Sequence, residues 1–399
     1  MNPSAKPPFS AHDPDAHLDL VKVALNRRAS DIHLDPLLVG YQIRLRIDGL
    51  LVPYLTLDRD LGIRLINQFK TSGGIDPGTA FTPLGARSKL VLDDDHTIDT
   101  RITLAPCVSG PKLAIRLLDP SRLNHRVTDL GLSEVGLERF QRWLRTLNGM
   151  FLVTGPTASG KTTTLYSLLH ELASENRHII SIEDPVEYEI DGINQIQVDH
   201  RHGLGFAEGL RTILRLDPDH AMIGELREPE SAHAAVSAAI AGHVILSTLH
   251  SRDAVSAVTA LRNFGLADYQ IATALGVVVN QRLVRKLCSE CREESPLLPA
   301  EADWLEREGH RLPSQSFRAK GCDACNGSGY HGRTGLFEVW HVDQADYEML
   351  LAGADEDTLR SHLDAEGHFD LWADAVGKIE SGITAFPEVQ RLGLSLPWA

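Results

Sequence analysis

The 399-residue sequence predicts an α/β protein built on a mostly parallel β-sheet. Two observations support this fold class. Between residues 150 and 248, short apolar runs alternate with segments of helical periodicity. In addition, a glycine-rich loop, GPTASGKTT at residues 155–163, directly follows the apolar run MFLV. A buried strand that ends in such a loop and continues as a helix is typical of proteins that hold phosphate groups at a helix N-terminus.

The positions of this loop have separate chemical roles. Gly155 and Gly160 allow backbone angles and close approaches that a Cβ would block. Lys161 can reach the β- and γ-phosphates of a nucleotide, and the Thr162 hydroxyl can bind Mg²⁺. An ordinary glycine-rich turn is the alternative, and the flanking pattern disfavours it. We therefore expect a nucleoside triphosphate to bind at these residues: Gly155, Pro156, Thr157, Ala158, Ser159, Gly160, Lys161, Thr162 and Thr163.

Length and composition limit the classes of protein to which the chain can belong. A chain of this length is expected to form about two to four domains, and 43% of its residues are hydrophobic. The net charge of −15 argues against a broad nucleic-acid surface. The sequence contains no run of about 18 apolar residues, the length that a membrane-spanning helix needs, and the N-terminus lacks the features of a signal peptide. We therefore expect a cytoplasmic protein that binds no nucleic acid directly and reaches a membrane only through a partner.

The N-terminal part of the sequence predicts an α+β domain. Residues 1–16, rich in Pro, Ala and Asp, are expected to form a flexible lead-in, and residues 17–119 the domain. A helical segment, LDLVKVALNRRA, precedes an alternating run in which Ile43, Leu45 and Ile47 share one face. That run ends at an Asp-Gly pair, which is typical of a tight hairpin turn. Further strands are predicted within SKLVLDD, HTIDTRITL and KLAIRLLD.

An α/β core is predicted for residues 133–285, after a polar linker at 120–132. Its first helix begins near Ser133 and precedes the phosphate loop. The remaining elements alternate along the chain, with strands at 150–154, 179–182, 221–224 and 243–248 and helices at 161–173, 207–215 and 230–241. Strands separated by helices imply a parallel sheet that binds ligands at its carboxyl edge.

Polar side chains follow several of these strands. Glu183 and Asp184 come after the second strand, Glu225 after the third and His250 after the fourth. The carboxyl ends of parallel strands meet at one edge, so these groups should lie beside the phosphate loop. Phosphoryl transfer to water requires a metal anchor and a group that orients the water, and this set can supply both. Each residue alone is a weak indication, since an acidic residue after a strand is more often a helix cap.

Four of the five cysteines form two C-x-x-C pairs, separated by 30 residues: Cys288, Cys291, Cys322 and Cys325. Four thiolates on two short loops can close a tetrahedral Zn²⁺ site, and we expect a structural site in a module at 286–335. Reduced thiols without metal are the main alternative, and redox chemistry is less favoured because one pair would suffice for it. The fifth cysteine, Cys107, is expected to be a small buried apolar side chain.

The last part of the sequence, residues 336–399, predicts a small helical domain. Four helical segments, DQADYEMLLAG, DEDTLRSHLDAEG, DLWADAVGKIESG and PEVQRL, are separated by glycines and prolines suited to helix ends. The exposed faces of these segments are acidic and account for part of the net charge.

The motifs of the chain, taken together, resemble those of the secretion and pilus-assembly ATPase superfamily. The resemblance is carried by the phosphate loop GPTASGKTTTLYSLL, the acidic box SIEDPVEYEIDGINQIQV, the atypical Walker B segment LRLDPDHAMIGELRE, the His box AGHVILSTLHSRDA, the segment QRLVRKLC and the cysteine pairs. It extends from about Ser30 to Leu392 and is strongest to type II secretion ATPases and type IV pilus extension ATPases. It implies a RecA-like P-loop ATPase core and a PAS-like N-terminal α+β domain.

The resemblance also implies roles that the residues alone leave open. Glu183, in the acidic box, corresponds to the glutamate that activates the attacking water. Glu225 corresponds to the glutamate that supports Mg²⁺ and the γ-phosphate, and Gly224 stands where a standard Walker B motif has Asp. His250, the second histidine of the His box, corresponds to the residue that senses the γ-phosphate.

Members of the superfamily act as rings, in which arginines from a neighbouring N-terminal domain stabilise charge on the transferring phosphate. Arg101 in IDTRITL and Arg116 in LAIRLLD match these positions. From the residues alone, each is an ordinary arginine on a strand face. The resemblance therefore implies a homohexamer whose sites are shared between neighbouring chains, with the linker as a hinge.

The sequence departs from the family pattern in three places. Pro111 and Lys112 stand where the family usually has Glu-Arg, and the segment GIDPGTAFTPLGAR lacks the usual basic residues. Secretion and pilus-extension members usually carry a further N-terminal domain that docks onto an inner-membrane platform. This chain is therefore expected to be a short form without that domain.

The implied function is that of a cytoplasmic ATPase motor with ATP, Mg²⁺ and a structural Zn²⁺. Through an inner-membrane platform protein, it would drive assembly of a pseudopilus for type II secretion or of a type IV pilus. Pilus retraction is an alternative that the cysteine pairs disfavour, and DNA uptake or conjugation remains open because of the missing domain. A nucleotide-gated regulatory module without turnover is disfavoured by the intact Lys161, Glu183 and Glu225.

Overall fold

The structure, a computed structural model, describes residues 13–79, 82–93, 96–118, 126–173 and 176–393. It consists of two compact units, Met1–Leu123 and Asn124–Ala399. Helices and sheets make up both units, which confirms the predicted α/β class. Most of the predicted lead-in and about half of the predicted linker lie outside the described residues.

The first unit is a six-stranded antiparallel sheet with two helices. Its elements are α1 (Ala16–Asn26), β1 (Ala29–Leu37), β2 (Gly40–Ile47), β3 (Leu50–Leu57), α2 (Arg59–Ser72), β4 (Leu84–Asp93), β5 (His96–Cys107) and β6 (Gly110–Leu118). The strand order is β3-β2-β1-β6-β5-β4. Ile43 and Leu45 are buried on one face of β2, as the alternating pattern predicts. Asp48 and Gly49 have φ of 48° and 87°, the positive angles that a two-residue hairpin turn requires.

The prediction for Cys107 was wrong, because this side chain is exposed. Cys107 is the last residue of β5 and pairs with Gly110, where the chain turns back into β6. At the end of the strand and next to the turn, its side chain lies outside the core. Residue type alone favoured burial, but the place of the residue in the hairpin decided the outcome.

The second unit is built around a seven-stranded sheet. Its elements up to the cysteine region are α3 (Glu134–Thr146), β7 (Met150–Thr154), α4 (Lys161–Leu172), β8 (Ile179–Glu183), β9 (Asn194–Gln197), α5 (Phe206–Ile213), β10 (His220–Ile223), α6 (Pro229–Ile240), β11 (Val244–Leu249), α7 (Ser256–Asn263), α8 (Asp268–Ala274) and β12 (Leu275–Leu287). The remaining elements are β13 (Arg292–Glu294), α9 (Pro299–Arg307), β14 (Phe317–Ala319), β15 (Tyr330–His341), α10 (Gln344–Leu351), α11 (Glu356–Ala365), α12 (Leu371–Glu380) and α13 (Phe386–Gln390).

The strand order of the large sheet is β15-β12-β7-β11-β10-β8-β9, and all neighbours are parallel except β12 and β15. Every residue of β7, β8, β10 and β11 is buried. On β7, Met150 and Leu152 belong to one hydrophobic cluster, whereas Phe151 and Val153 belong to another. Helices therefore cover both faces of the sheet, which explains why these strands are continuously apolar instead of alternating.

Three strands of this sheet, β9, β12 and β15, were not predicted. β12 pairs in parallel with β7 and in antiparallel with β15. Because β15 includes Gly335 and Leu336, the predicted boundary between the cysteine module and the helical domain divides a strand. The C-terminal helices pack on this strand: on α12, Lys378 donates to the Gly335 carbonyl at 2.7 Å, and Asp374 accepts from the Phe337 amide at 2.8 Å.

No helix in the described ranges combines the length and the apolar character that a membrane span needs.

The contact between α5 and β8 leaves no room for a side chain on the helix. A Cβ built on Gly209 would lie 1.7 Å from Cδ1 of Ile182, which is fully buried. We expect Gly209→Ala to destabilise the second unit by about 1–3 kcal/mol, because Ile182 must leave its packed rotamer. All five tryptophans of the chain follow residue 124, so tryptophan fluorescence during urea unfolding reports this unit.

The matched control is Gly377→Ala, on the exposed side of α12, where a Cβ meets no atom within 4 Å. That change should stabilise the helix by about 0.5–1 kcal/mol, the usual gain for Ala over Gly. Equal effects of the two substitutions would contradict the packing described for Gly209.

Candidate active site and metal centre

The phosphate loop connects the end of β7 to the start of α4. Gly155 has φ of 140° and Gly160, the N-cap of α4, has φ of 92°. A Cβ on Gly155 would lie 2.4 Å from the Gln281 carbonyl oxygen, and one on Gly160 would lie 2.7 Å from Gln281 Nε2. Both positions therefore require glycine for backbone angle and for space. Ala158 also has a positive φ, of 63°, which is uncommon for a residue with a Cβ.

The N-terminus of α4 presents the groups expected to hold phosphates. Lys161 is the first residue of this helix, and its Nζ donates to the carbonyl oxygens of Gly155 and Pro156 at 2.9 and 3.1 Å. Burial lowers the pKa of Lys161, and the charge of Glu225 opposes that shift. Thr162 is exposed in the first helical turn. Free amides at the start of a 12-residue helix and an adjacent cation favour an anionic ligand.

A chain of side-chain contacts connects this loop to the segments that follow three neighbouring strands. His250, after β11, places Nδ1 3.1 Å from the Gly155 carbonyl oxygen and Nε2 2.8 Å from Glu225 Oε1. Glu225, after β10, also accepts from Arg227 Nε at 2.7 Å, and Arg227 reaches Asp184 at 4.0 Å. The histidine therefore connects the phosphate loop to the carboxylate of the Walker B segment.

Glu183, the last residue of β8, lies deeper than the other acidic residues. Only 3% of its surface is exposed, and burial raises the pKa of its carboxyl group. Hydrogen bonds from Ser181, Tyr166 and Gln195 act in the opposite direction and favour the ionised form. A buried carboxylate with a raised pKa and several donors is the kind of group that can accept a proton during a reaction.

Sequence reasoning missed the contribution of β12 to this site. The Thr164 hydroxyl donates to Gln281 Oε1 at 2.7 Å, so the same amide contacts both the loop and the helix. The buried Arg282 guanidinium donates to Asn280 Oδ1 at 2.8 Å and to the Arg252 carbonyl at 2.6 Å. Arg252 follows His250 by two positions, so β12 supports both the phosphate loop and the segment after β11. The segment QRLVRKLC was the available signal, but its spacing does not show which loop it contacts.

Arg101 and Arg116 belong to the first unit, whereas the phosphate loop, Glu183, Glu225 and His250 belong to the second. They are directly opposite each other on β5 and β6, and Arg87 on β4 is opposite Arg101. On its other side Arg116 is opposite Asp31, which accepts from Arg116 Nε at 3.2 Å. The Arg116 side chain remains 58% exposed. Three arginines in one cross-strand row concentrate positive charge, which suits an anionic ligand.

The four paired cysteines form one cluster. Their Sγ atoms all lie within 4.8 Å of one another, with distances of 3.9 Å for Cys288–Cys322, 3.9 Å for Cys291–Cys325 and 3.8 Å for Cys322–Cys325. A tetrahedral Zn²⁺ with Zn–S bonds of about 2.3 Å separates its sulfur ligands by about 3.8 Å. The donor set and its spacing therefore fit zinc.

The backbone around Cys325 is arranged for a thiolate. The amides of Cys322 and Gly329 donate to Cys325 Sγ at 3.2 and 3.1 Å. Burial alone would raise the pKa of Cys325, but these amides and the neighbouring thiols lower it to about 6. The cluster joins the end of β12 to the start of β15, where Leu287 pairs with Tyr330. A metal here would close the neck of the excursion that carries β13, α9 and β14.

Comparison with known proteins gives consistent results. A sequence model of the family described as type II/IV secretion system protein matches residues 16–391. The type II secretion system ATPase E of Vibrio cholerae is 39% identical over 373 residues, which cover 92% of this chain and 73% of that protein. The type IV pilus assembly ATPase PilB of Acinetobacter baylyi is 36% identical over 374 residues, which cover 92% of this chain and 64% of that protein.

The fold is also found among solved structures. The X-ray structure of the Legionella pneumophila ATPase DotB superposes with a TM-score of 0.71 and covers 98% of each chain at 19% identity. At that identity the likeness establishes a shared fold. Since the family model spans nearly the whole sequence and the V. cholerae relative is well above 30% identical, this chain belongs to the family of type II/IV secretion system proteins.

Proposed function

We propose that the chain hydrolyses ATP in the presence of Mg²⁺. The single observation that carries this proposal is the convergence at the start of α4, where His250 contacts both the phosphate-loop carbonyl of Gly155 and the carboxylate of Glu225. A cation, an imidazole and a carboxylate at a helix N-terminus suit a nucleotide phosphate chain with its metal. Relatives named as ATPases, in V. cholerae and A. baylyi, give the proposal independent support.

Each site residue has a proposed role in this reaction. Lys161 binds the β- and γ-phosphates, and Thr162 provides a hydroxyl ligand for Mg²⁺. Glu183 accepts the proton of the attacking water, Glu225 supports the metal and the γ-phosphate, and His250 reports the presence of that phosphate. When it is bound, Mg²⁺ would neutralise part of the negative charge of the phosphates.

We further propose that the protein works as a homohexameric motor on the cytoplasmic side of an inner membrane. Arg101 and Arg116 of a neighbouring chain would stabilise charge on the transferring phosphate, which the arginine row on β4, β5 and β6 supports. Through a platform protein in the membrane, hydrolysis would drive pseudopilus or type IV pilus assembly. One named relative is a type II secretion ATPase and another is a type IV pilus assembly ATPase, and this supports a motor for one of these two systems.

Pilus retraction and DNA uptake are second candidates within the same class. The four-cysteine cluster favours the assembly function, since we expect retraction motors of the superfamily to lack it. A regulatory module that binds nucleotide without turnover is the candidate from another class. It would need neither a buried carboxylate such as Glu183 nor its three hydrogen-bond donors.

Steady-state ATPase assays test the proposal directly. We expect Lys161→Ala to abolish turnover through loss of the phosphate contact, and Glu183→Gln to lower kcat at least about 100-fold while nucleotide still binds, since general-base catalysis contributes about 10²–10⁴-fold. Lys22→Ala, an exposed lysine on α1, is the control and should leave the rate unchanged. Full activity of Lys161→Ala would refute the phosphate-loop assignment, and buffer-level rates of the wild type would favour the regulatory module.

The role of Arg116 in a neighbouring site predicts complementation between chains. Arg116→Ala should lower kcat with little change in nucleotide affinity, whereas Lys112→Ala, on the same strand and in one ion pair with Asp35, should not. Mixing Arg116→Ala chains with Glu183→Gln chains should restore part of the activity, because some sites then combine an intact Glu183 with an intact Arg116. Mixtures that stay as inactive as the separate variants would exclude action between chains.

Metal analysis tests the cysteine cluster. We expect about one zinc per chain, retained in Cys107→Ser and lost in Cys322→Ser together with a lower melting temperature. Cys107 is the matched control, because it is an exposed cysteine outside the cluster. A zinc-free wild type with an unchanged melting temperature in chelator would contradict a structural metal site.

A further inference from the structure

Glu183 accepts hydrogen bonds from three different elements. Ser181 Oγ on β8 donates to Oε1 at 2.6 Å, and Gln195 Nε2 on β9 donates to the same oxygen at 3.1 Å. The Tyr166 hydroxyl on α4 donates to Oε2. An ionised carboxylate offers about four acceptor positions. With three of them filled, one position is left for a water molecule.

The hydrogen bond from Tyr166 has a defined direction. The backbone N–H of Glu187 donates to the Tyr166 oxygen at 3.3 Å, so the single phenolic proton is directed to Glu183. Tyr166 is fully buried, and burial together with the charge of Glu183 raises the pKa of its hydroxyl. The hydroxyl therefore remains a donor at every working pH.

The position of Tyr166 connects Glu183 to the phosphate loop. Tyr166 lies on α4, the helix that begins at Lys161. Its ring packs edge-to-face on Tyr188 of the acidic box, with ring centroids 4.6 Å apart. Gln195 is also held in place, because its Oε1 accepts from the Ile190 amide at 2.7 Å. The Tyr166 hydroxyl is thus a direct hydrogen-bond link between the phosphate-loop helix and the carboxylate of Glu183.

We propose that Tyr166 is a positioning residue for Glu183, which fixes the carboxylate relative to the phosphate-loop helix and leaves one acceptor position for the attacking water. The proposal rests on the proposed ATPase function. In that reaction the water oxygen bonds to the γ-phosphorus, the bond to the β–γ bridging oxygen breaks, and Glu183 takes the proton of the water. The products are ADP and inorganic phosphate, and the proton on Glu183 then passes to solvent.

Several charged and titratable groups act on this carboxylate. Tyr166 faces it from α4, and Glu187 and Tyr188 face it from the segment after β8. The hydroxyl of Tyr166 stabilises the ionised form of Glu183, whereas the charge of Glu187 destabilises it. Removal of the hydroxyl therefore raises the pKa of Glu183, so that a higher pH is needed to keep it ionised.

The test is Tyr166→Phe, which keeps the ring against Tyr188 and removes only the donor. We expect kcat to fall about 10-fold, the equivalent of one hydrogen bond to a charged group, while KM for ATP changes by less than about 3-fold. The acid limb of the kcat–pH profile should move upwards by about one pH unit. Ser167→Ala is the matched control, since this buried hydroxyl on the same helix donates only to the Thr163 carbonyl at 2.8 Å.

The outcomes separate this proposal from the proposed function. A wild type without ATPase activity, or a fully active Glu183→Gln, would refute the proposed function and the role of Glu183. If both of those tests succeed but Tyr166→Phe keeps the wild-type kcat and pH profile, the positioning role alone is overturned. A loss of kcat without a shift in the acid limb, or one matched by Ser167→Ala, would also overturn it, because general weakening of α4 would then account for the loss.

Discussion

The turn from β7 into α4 is the constraint on which the candidate site depends. The chain must leave a fully buried central strand and begin a helix within six residues, at Gly155 to Gly160. Both glycines pack against Gln281 so closely that a Cβ could not be accommodated. The neighbouring strand β12 therefore shapes the loop as much as the loop sequence does. Helix amides and a lysine are left at one end of the loop, an arrangement that suits a phosphate group.

Electrostatics divide the acidic residues of this site into two kinds. Glu225 contacts the Arg227 guanidinium and the His250 imidazole near the loop, whereas Glu183 is buried and receives its hydrogen bonds from neutral donors. Burial raises the pKa of Glu183, and the hydrogen bonds from neutral donors oppose that rise without supplying a counterion. A buried carboxylate with a raised pKa and neutral hydrogen-bond donors is suited to accept a proton during a reaction. This difference supports separate roles for the two residues.

The cysteine region lies in the long connection between strands β12 and β15. Strands β12 and β15 are neighbours in the sheet, yet 42 residues separate the end of one from the start of the other. The excursion has its own two-stranded sheet, β13 with β14, and one helix, α9. Four thiols that meet at its neck can hold it closed through one ion. The C-terminal helices pack on β15, so the same strand connects the excursion, the core and the helical end of the chain.

The sequence alone determined the features that depend on residues close together in the chain. These are the phosphate loop, the alternation of strands and helices from β7 to β11 apart from β9, the Asp-Gly turn and the two cysteine pairs, and the α/β class that follows from them is confirmed. The tertiary structure decided which strands became neighbours. It placed Gln281 against the phosphate loop and Cys107 outside the core. It also formed the hydrogen bond from Tyr166 to Glu183, two residues that are 17 positions apart in the sequence. Periodicity reports which face of an element is buried, but hydrogen bonds between distant residues depend on strand order and helix placement, which the packing of the whole unit sets.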